Sequence, residues 1–483
     1  METSAEALPG ETPAPRSSDR ASVRGSGGGT RELLQVAIPL VLSSGSLSLM
    51  SAADRMILTG YSTEALAAVT PASMMHWTAV CIPFGAVLYA NTFVSQCDGA
   101  GQRDRMMAWL WQSVWLGAVC GLLLIGLIPF STTLLQYTGQ SPEVIRHEAD
   151  YFNVLCAGSA ILLTSTALSC FFSGRRHTVI IMLVNLLGVL LNFVLNYILV
   201  YGAGPIPEMG IKGAALGTVL ARLSDLIIYS VLIVRSHRRE QLPWRGLWQP
   251  RLSLLGGYLK YGFPSGLHYF VDNSGFTVFL LIVGALSSHA LAATNLAFSV
   301  NGLIFLPLLG FGTAVQTVVG HHLGAGSVRN ATRTTWAAVR LGVLWTAAAG
   351  LVLIVLPDLV LQPFFSFVEQ QAKDGRAVAN YEGVRETSII LLRFTAVYSV
   401  FDALAVVVAS ALRGAGDTFF PMIITLCSSW LIMVLCSCLV LKSAEASVTK
   451  LWLCCSAHIV FMGIAMPLRF LTGRWKQVHL VEE

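Results

Sequence analysis

Residues 178–201 read TVIIMLVNLLGVLLNFVLNYILVY, twenty-four residues without a charge. About twenty apolar residues in a helix cross the hydrocarbon of a bilayer, so this stretch is one membrane span. It lacks the alternation of a barrel strand, and in lipid a spanning segment that is not a barrel must be helical. Comparable runs lie on either side, near 34–59, 66–92, 109–131, 151–172 and 213–234. A second set follows near 264–286, 291–319, 335–356, 389–411, 419–441 and 450–471. The composition agrees. The chain is 54% hydrophobic and 12% charged, with mean hydropathy +0.67, whereas soluble domains carry roughly 25% charged residues. The expected class is an all-α integral membrane protein of about twelve transmembrane helices.

The distribution of Lys and Arg orients these spans. With the N-terminus inside, twenty-one basic residues fall on inside segments and eight outside, and Arg55 and Arg222 remain within spans. Arg175, Arg176, Arg413 and Arg235-Ser-His-Arg-Arg239 are among the inside ones. Both termini are thus expected in the cytoplasm, of a multi-pass protein of the plasma (inner) membrane. The net charge of +5 is accounted for by this topology and requires no nucleic acid. Residues 1–30 are rich in Pro, Ser, Arg and Gly and read as a disordered cytoplasmic tail. No cleavable signal is seen, so the first span is the expected targeting element. Of ten cysteines, Cys81, Cys120, Cys170, Cys427, Cys436, Cys438, Cys454 and Cys455 fall in apolar spans and read as small buried hydrophobes.

The chain repeats itself. Glu64-Ala-Leu-Ala-Ala-Val69 returns as His289-Ala-Leu-Ala-Ala-Thr294, an offset of 225. At the same offset Asp98-Gly-Ala-Gly101 meets Leu323-Gly-Ala-Gly326, Pro39 meets Pro264, and Val114-Trp-Leu-Gly117 meets Val339-Arg-Leu-Gly342. Later the offset grows to about 240, where Ser173-Gly-Arg-Arg-His-Thr178 falls on Arg413-Gly-Ala-Gly-Asp-Thr418, a weaker match. The added residues suit the loop at 357–388. Six spans per half is even, so the repeat is parallel, with its pseudo-twofold along the membrane normal. The expected organisation is an N-lobe bundle over 31–234, a cytoplasmic linker over 235–262 with Trp244 and Trp248, a C-lobe bundle over 263–471 and a cytoplasmic tail over 472–483. Two six-helix bundles around a central cleft suit alternating access.

Ionisable residues inside a span are costly and are functional candidates by default. Asp272 lies about eight residues past Pro264, near mid-membrane, and Asp402 lies mid-span in Tyr398-Ser-Val-Phe-Asp-Ala-Leu404. Neither has a basic residue within one turn in sequence. Low dielectric favours the neutral form of a carboxyl, which suits proton exchange; the same groups could ligate Na⁺, or simply hydrogen-bond between helices. Asp54 is followed by Arg55, whose side chain can snorkel outward. Asn192 and Asn196, four apart on one helix face, could share a polar site with Asp54 or bond between helices. Arg222 and Asp225, three apart, read as a neutralising pair.

These residues resemble a known family, the multidrug and toxic compound extrusion (MATE) transporters, and in particular their NorM-type branch. The resemblance rests on Met50-Ser-Ala-Ala-Asp-Arg-Met-Ile-Leu-Thr-Gly60, on Ser95-Gln-Cys-Asp-Gly-Ala-Gly101 with Val319-Gly-His-His-Leu-Gly-Ala-Gly326, on Leu191-Asn-Phe-Val-Leu-Asn-Tyr197, and on Ala411-Leu-Arg-Gly-Ala-Gly-Asp-Thr418. It covers about 31–470. The resemblance implies a secondary antiporter that exports amphiphilic, cationic organic compounds (multidrug or xenobiotic efflux) in exchange for H⁺ or Na⁺. It implies Asp272 and Asp402 as the C-lobe ion-coupling pair, ligands of Na⁺ if that is the ion, and Asp54 as the N-lobe carboxylate beside Asn192 and Asn196. Two features depart from the pattern: the seventh-helix acid is often Glu where this chain has Asp272, and Arg55 follows the first-helix Asp.

For substrate, Asn192 and Asn196 are candidate contacts, as are the aromatic residues Tyr269, Phe270, Phe276 and Tyr398, whose faces attract an organic cation; packing or lipid contact is their other reading. No cofactor beyond the coupling ion is expected. The expected partners are membrane lipid and the organic substrate, with the protein a monomer. One alternative is a flippase for lipid-linked precursors of the same superfamily, which would need basic residues in its cleft, and only Arg55 and Arg222 lie in spans. A membrane enzyme is disfavoured, because no Mg²⁺-binding carboxylate cluster or H-E-x-x-H motif occurs. His321-His322 is read as lying in a cytoplasmic loop without a nearby acid.

Overall fold

A computed structural model describes residues 29–136, 140–202, 205–242, 248–363 and 381–477. The expected tail over 1–30, except its last two residues, lies outside these ranges, as do Trp244 and most of the loop at 357–388. Twelve long helices follow in order. They are α1 (Thr30–Thr59), α2 (Thr63–Gly99), α3 (Arg103–Leu135), α4 (Pro142–Gly174), α5 (Thr178–Tyr201) and α6 (Gly210–Glu240). After a connection at 241–251 come α7 (Leu252–Leu286), α8 (Ser288–Gly324), α9 (Val328–Val355), α10 (Tyr381–Ala415), α11 (Phe419–Leu441) and α12 (Val448–Leu471). All except α1 meet the length and hydropathy of a membrane span by themselves. Large apolar side chains such as Leu123, Leu281, Leu351 and Leu439 stay exposed around the bundle. A water-facing surface would not tolerate so continuous an apolar belt; hydrocarbon does.

The repeat is visible in the backbone. Gly101 and Gly326 both have φ +72, a left-handed conformation that glycine adopts without a Cβ penalty. Each closes its helix alike, with Gln102 N–H donating to Cys97 O at 2.9 Å and Ser327 N–H donating to His322 O at 2.8 Å. The later offset is equally well kept. His177 N–H donates to Phe172 O at 2.8 Å, and Asp417 N–H to Leu412 O at 2.9 Å. At the turn's left-handed position the first copy has Arg176, φ 63, and the second has Gly416, φ 98. The turn is thus kept although four of the six aligned residues differ. Pro39 and Pro264 likewise both lie inside helices, α1 and α7.

Three apolar clusters show how the halves meet. One joins both lobes near the face that carries the two ends of the bundle, with Leu40, Phe93 and Phe171 against Phe311, Val315 and Leu412. Towards the opposite face the apolar packing divides. Ile57, Val69, Phe152 and Ile211 pack within the N-lobe alone, and Phe279, Val300, Tyr398 and Trp452 within the C-lobe alone. The bundle is therefore closed at the terminal face and cleft at the other.

Polar groups line the closed seam. Asn91 donates to Thr317 at 2.9 Å, Gln316 to Thr92 Oγ1 at 2.7 Å, and Gln96 to the Gly414 carbonyl at 2.8 Å. Here the reading of His321 and His322 is corrected. They form the last turn of α8 and face N-lobe acids, His321 Nε2 being 3.6 Å from Asp98 and His322 Nε2 3.3 Å from Glu32. Asp98 and Glu32 are distant in sequence, one at the end of α2 and the other at the start of α1, so only tertiary packing brings them near. Arg176 meets the same Glu32 at 2.7 Å, and Arg175 meets Glu240 at 2.5 Å.

Candidate functional site

Two polar sites open on the cleft, one per lobe. In the N-lobe, Asp54 near the end of α1 is 5% exposed and held by three helices. Tyr151 of α4 donates to its Oδ2 at 3.1 Å and Thr218 of α6 at 3.4 Å, while Asn196 of α5 donates to Oδ1. Asn192 donates to Thr218 at 3.0 Å and so braces that donor. The i, i+4 spacing of the two asparagines on α5 aligns both with this nest. The sequence groups these residues as the structure does, and the two asparagines face Asp54 and its donors rather than the cavity. Both are fully buried and support Asp54, and neither is among the residues that line the adjoining cavity of about 580 Å³. That cavity is lined instead by Asp54, Arg55, His76, Trp77, Tyr151 and Arg222, among others. Arg222 pairs with Asp225 at 3.1 Å, as its spacing suggests.

Because Asp54 accepts three hydrogen bonds, its removal strands buried donors. Asp54→Ala is expected to lower stability by about 1–3 kcal/mol, the penalty of an unsatisfied buried polar group. Thermal unfolding in detergent measures it. An unchanged midpoint would mean that Tyr151, Asn196 and Thr218 find other acceptors.

The C-lobe cavity, about 420 Å³, is a different environment. Asp272 of α7 and Asp402 of α10 both line it, together with Tyr269, Phe276, Phe298, Tyr398, His268 and His458. Asp402 feels the charge of Asp272 across this space. Among the described residues neither carboxylate has a hydrogen-bond or ion-pair partner. Asp54 is held by protein donors; Asp272 and Asp402 are partly exposed and face open volume, where a ligand can reach them. Tyr269, Phe276 and Tyr398 fall where an aromatic wall was expected. Phe270 does not line the cavity; consecutive residues on α7 point about 100° apart, and the wall takes its neighbour Tyr269. Trp77, 37% exposed and 5.1 Å from the ring of Phe84, lines both cavities.

Sequence reasoning missed Trp77 and Arg413. Arg413 sits at the terminal end of α10, where a basic residue normally reaches water. Here it is 8% exposed, its guanidinium carbon is 5.9 Å from the Tyr269 ring centroid, and it lines the C-lobe cavity. The Ala411-Leu-Arg-Gly-Ala-Gly-Asp-Thr418 motif was the available signal.

The family model MatE matches residues 39–198 and 264–438, one stretch in each lobe. The chain is 27% identical over 452 residues to the probable multidrug resistance protein NorM of Thermotoga maritima, covering 92% of this chain and 93% of that one. Its fold is similar to that of a MOP superfamily transporter from Pyrococcus furiosus, with TM-score 0.82 and 18% identity over 93% of this chain and 97% of the other. It is also similar to an outward-facing multidrug resistance MATE family transporter, with TM-score 0.80 and 19% identity over 92% and 95%. These comparisons agree with the lobed, twelve-helix architecture.

Proposed function

The chain belongs to the MatE family, and from that premise we propose that it is a secondary antiporter that exports amphiphilic organic cations in exchange for H⁺ or Na⁺. One observation carries the proposal. Among the described residues Asp272 and Asp402 are carboxylates without a protein partner, in a single aromatic-walled cavity on an open cleft. Such a cavity can hold either an inorganic cation or an organic one, and it cannot favour both at once. Competition for the same negative charge is what antiport requires. The aromatic wall adds cation–π attraction for the organic partner. The closed terminal face and open opposite face support one end state of alternating access; with both termini cytoplasmic this state is outward-open. The name of the Thermotoga relative, a probable multidrug resistance protein, supports drug-like substrates.

In this cycle Asp272 and Asp402 couple the ion, Asp54 contributes the N-lobe carboxylate, and Tyr269, Phe276 and Tyr398 contact the substrate. The proposed transport unit is a single chain, which carries both cavities.

The test uses purified protein in vesicles loaded with ethidium. Efflux is expected when an inward H⁺ or Na⁺ gradient is imposed, and not when neither is present. A protein that moves ethidium under neither gradient would overturn the cation-export reading. Arg55 and Arg222 line the N-lobe cavity, an observation that favours a lipid-linked phosphate as the second substrate class to try.

A further inference from the structure

Arg413 belongs to two structures at once. Its side chain is in the C-lobe cavity, where Nη2 donates to Ser410 at 2.9 Å and Nε has no hydrogen-bond partner. Among the described residues no carboxylate lies within ion-pair distance of it, yet its charge acts on Asp272. Its main chain is in the seam. The Arg413 carbonyl accepts from Tyr89 Oη at 3.2 Å and from Thr92 Oγ1 at 3.4 Å, both in the N-lobe. The next carbonyl, of Gly414, accepts from Gln96.

We propose that Arg413 is a positioning residue that transmits the charge of the C-lobe cavity to the seam between the lobes. A buried guanidinium without a paired anion is unstable unless nearby negative charge compensates it, and the charge in reach is that of Asp272, with Asp402 lining the same cavity. A cation that binds Asp272 and Asp402 removes the attraction holding the guanidinium towards them. The side chain is then held by Ser410 alone, and the altered load falls on residues 413–414, whose carbonyls accept from Tyr89, Thr92 and Gln96. The ion thereby gains a differential interaction with seam-closed and seam-open states, without which no ligand shifts a conformational equilibrium. The inference rests on Asp272 and Asp402 being the coupling groups.

Hydrogen–deuterium exchange of the full chain in lipid nanodiscs tests it and needs no identified substrate. Protection over 89–99 and 316–324 is followed in wild type on adding Na⁺ at fixed pH, and separately on lowering pH. A change on the order of fivefold or more, the usual size of a coupling free energy, is expected in one arm. Arg413→Gln and Arg413→Met are expected to flatten it, and Arg413→Lys to retain part of it. In the pH arm other ionisable groups face the same region: His321, His322, Glu32 and Asp98 at the seam beside Arg175 and Arg176, and His268 and His458 in the cavity with Arg413. The response shared with the Asp272→Asn/Asp402→Asn protein belongs to them and is subtracted.

Two neutral variants guard against one that fails to fold. A wild-type response in both, or no response in wild type, overturns the role of Arg413. A double Asn variant that responds fully in both arms strikes the coupling reading instead.

Discussion

Gradient-driven ethidium efflux is expected to fall by at least tenfold when Asp272→Asn and Asp402→Asn are combined. Asparagine preserves the shape of each side chain but removes its charge and its exchangeable carboxyl proton. What remains in the cavity is the cation Arg413, so the site changes from net negative to net positive. A unit charge about 5–8 Å away in an effective dielectric of about 20 is worth roughly 2–3 kcal/mol, or about 30- to 200-fold in affinity for a cation. Both the coupling ion and the organic substrate lose that attraction, so both gradient-driven efflux and ethidium binding should weaken. Among the described residues neither carboxylate has a hydrogen-bond partner to strand, so the loss of stability in this variant comes through the buried Arg413 guanidinium, which loses compensating charge. In Asp54→Ala three donors are stranded instead. Each Asn alone leaves one carboxylate facing Arg413, a net neutral cavity, and should fall between wild type and the double variant. Wild-type efflux in the double variant would remove the C-lobe pair from the mechanism and leave Asp54 as the lead.

The parts of this picture that were legible in sequence are those set by local periodicity. Twelve apolar runs gave twelve helices, because in lipid a run of that length has no other way to satisfy its backbone. The paired Gly-Ala-Gly turns were legible as well, since Gly101 and Gly326 occupy the same left-handed position. Helical spacing correctly grouped Asn192 with Asn196, but a helix face does not say which neighbour it meets. The asparagines turned out to face Asp54 and its donors rather than open volume. The same limit displaced Phe270 from the cavity wall. His321 and His322 were misread, and the place of Arg413 in the cavity was missed, because all three lie at span ends, where sequence position suggests water. The histidines instead face acids of the opposite lobe, and Arg413 turns into the C-lobe cavity. The offset of 225 could not reveal the histidine contacts, because the two turns interlock only after the lobes have packed.

That interlock yields the second large effect. Gly99 and Gly324 are repeat partners, and each lies against the backbone of the other lobe. A Cβ on Gly324 would meet the carbonyl and Cα of Gln96; one on Gly99 would meet the carbonyl of His321. Gln96 and His321 are themselves repeat partners, so the contact is a reciprocal pair about the pseudo-twofold. Backbone atoms on both sides leave no flexible side chain to yield, and the lobes must part at the terminal face. Overpacking of this kind costs about 1–3 kcal/mol, which shifts a two-state equilibrium by roughly 5- to 150-fold. Gly324→Val is therefore expected to lose protection over 89–99 and 316–324 in hydrogen exchange and to lose most gradient-driven efflux, while far-face packing around Trp452 stays protected. Gly99→Val should do the same. Combining them should cost much less than the sum, because lobes already parted by one side chain have room for the other. Full additivity, or a Gly324→Val protein with an intact seam and wild-type efflux, would mean that the glycine pair is not what holds the terminal face closed.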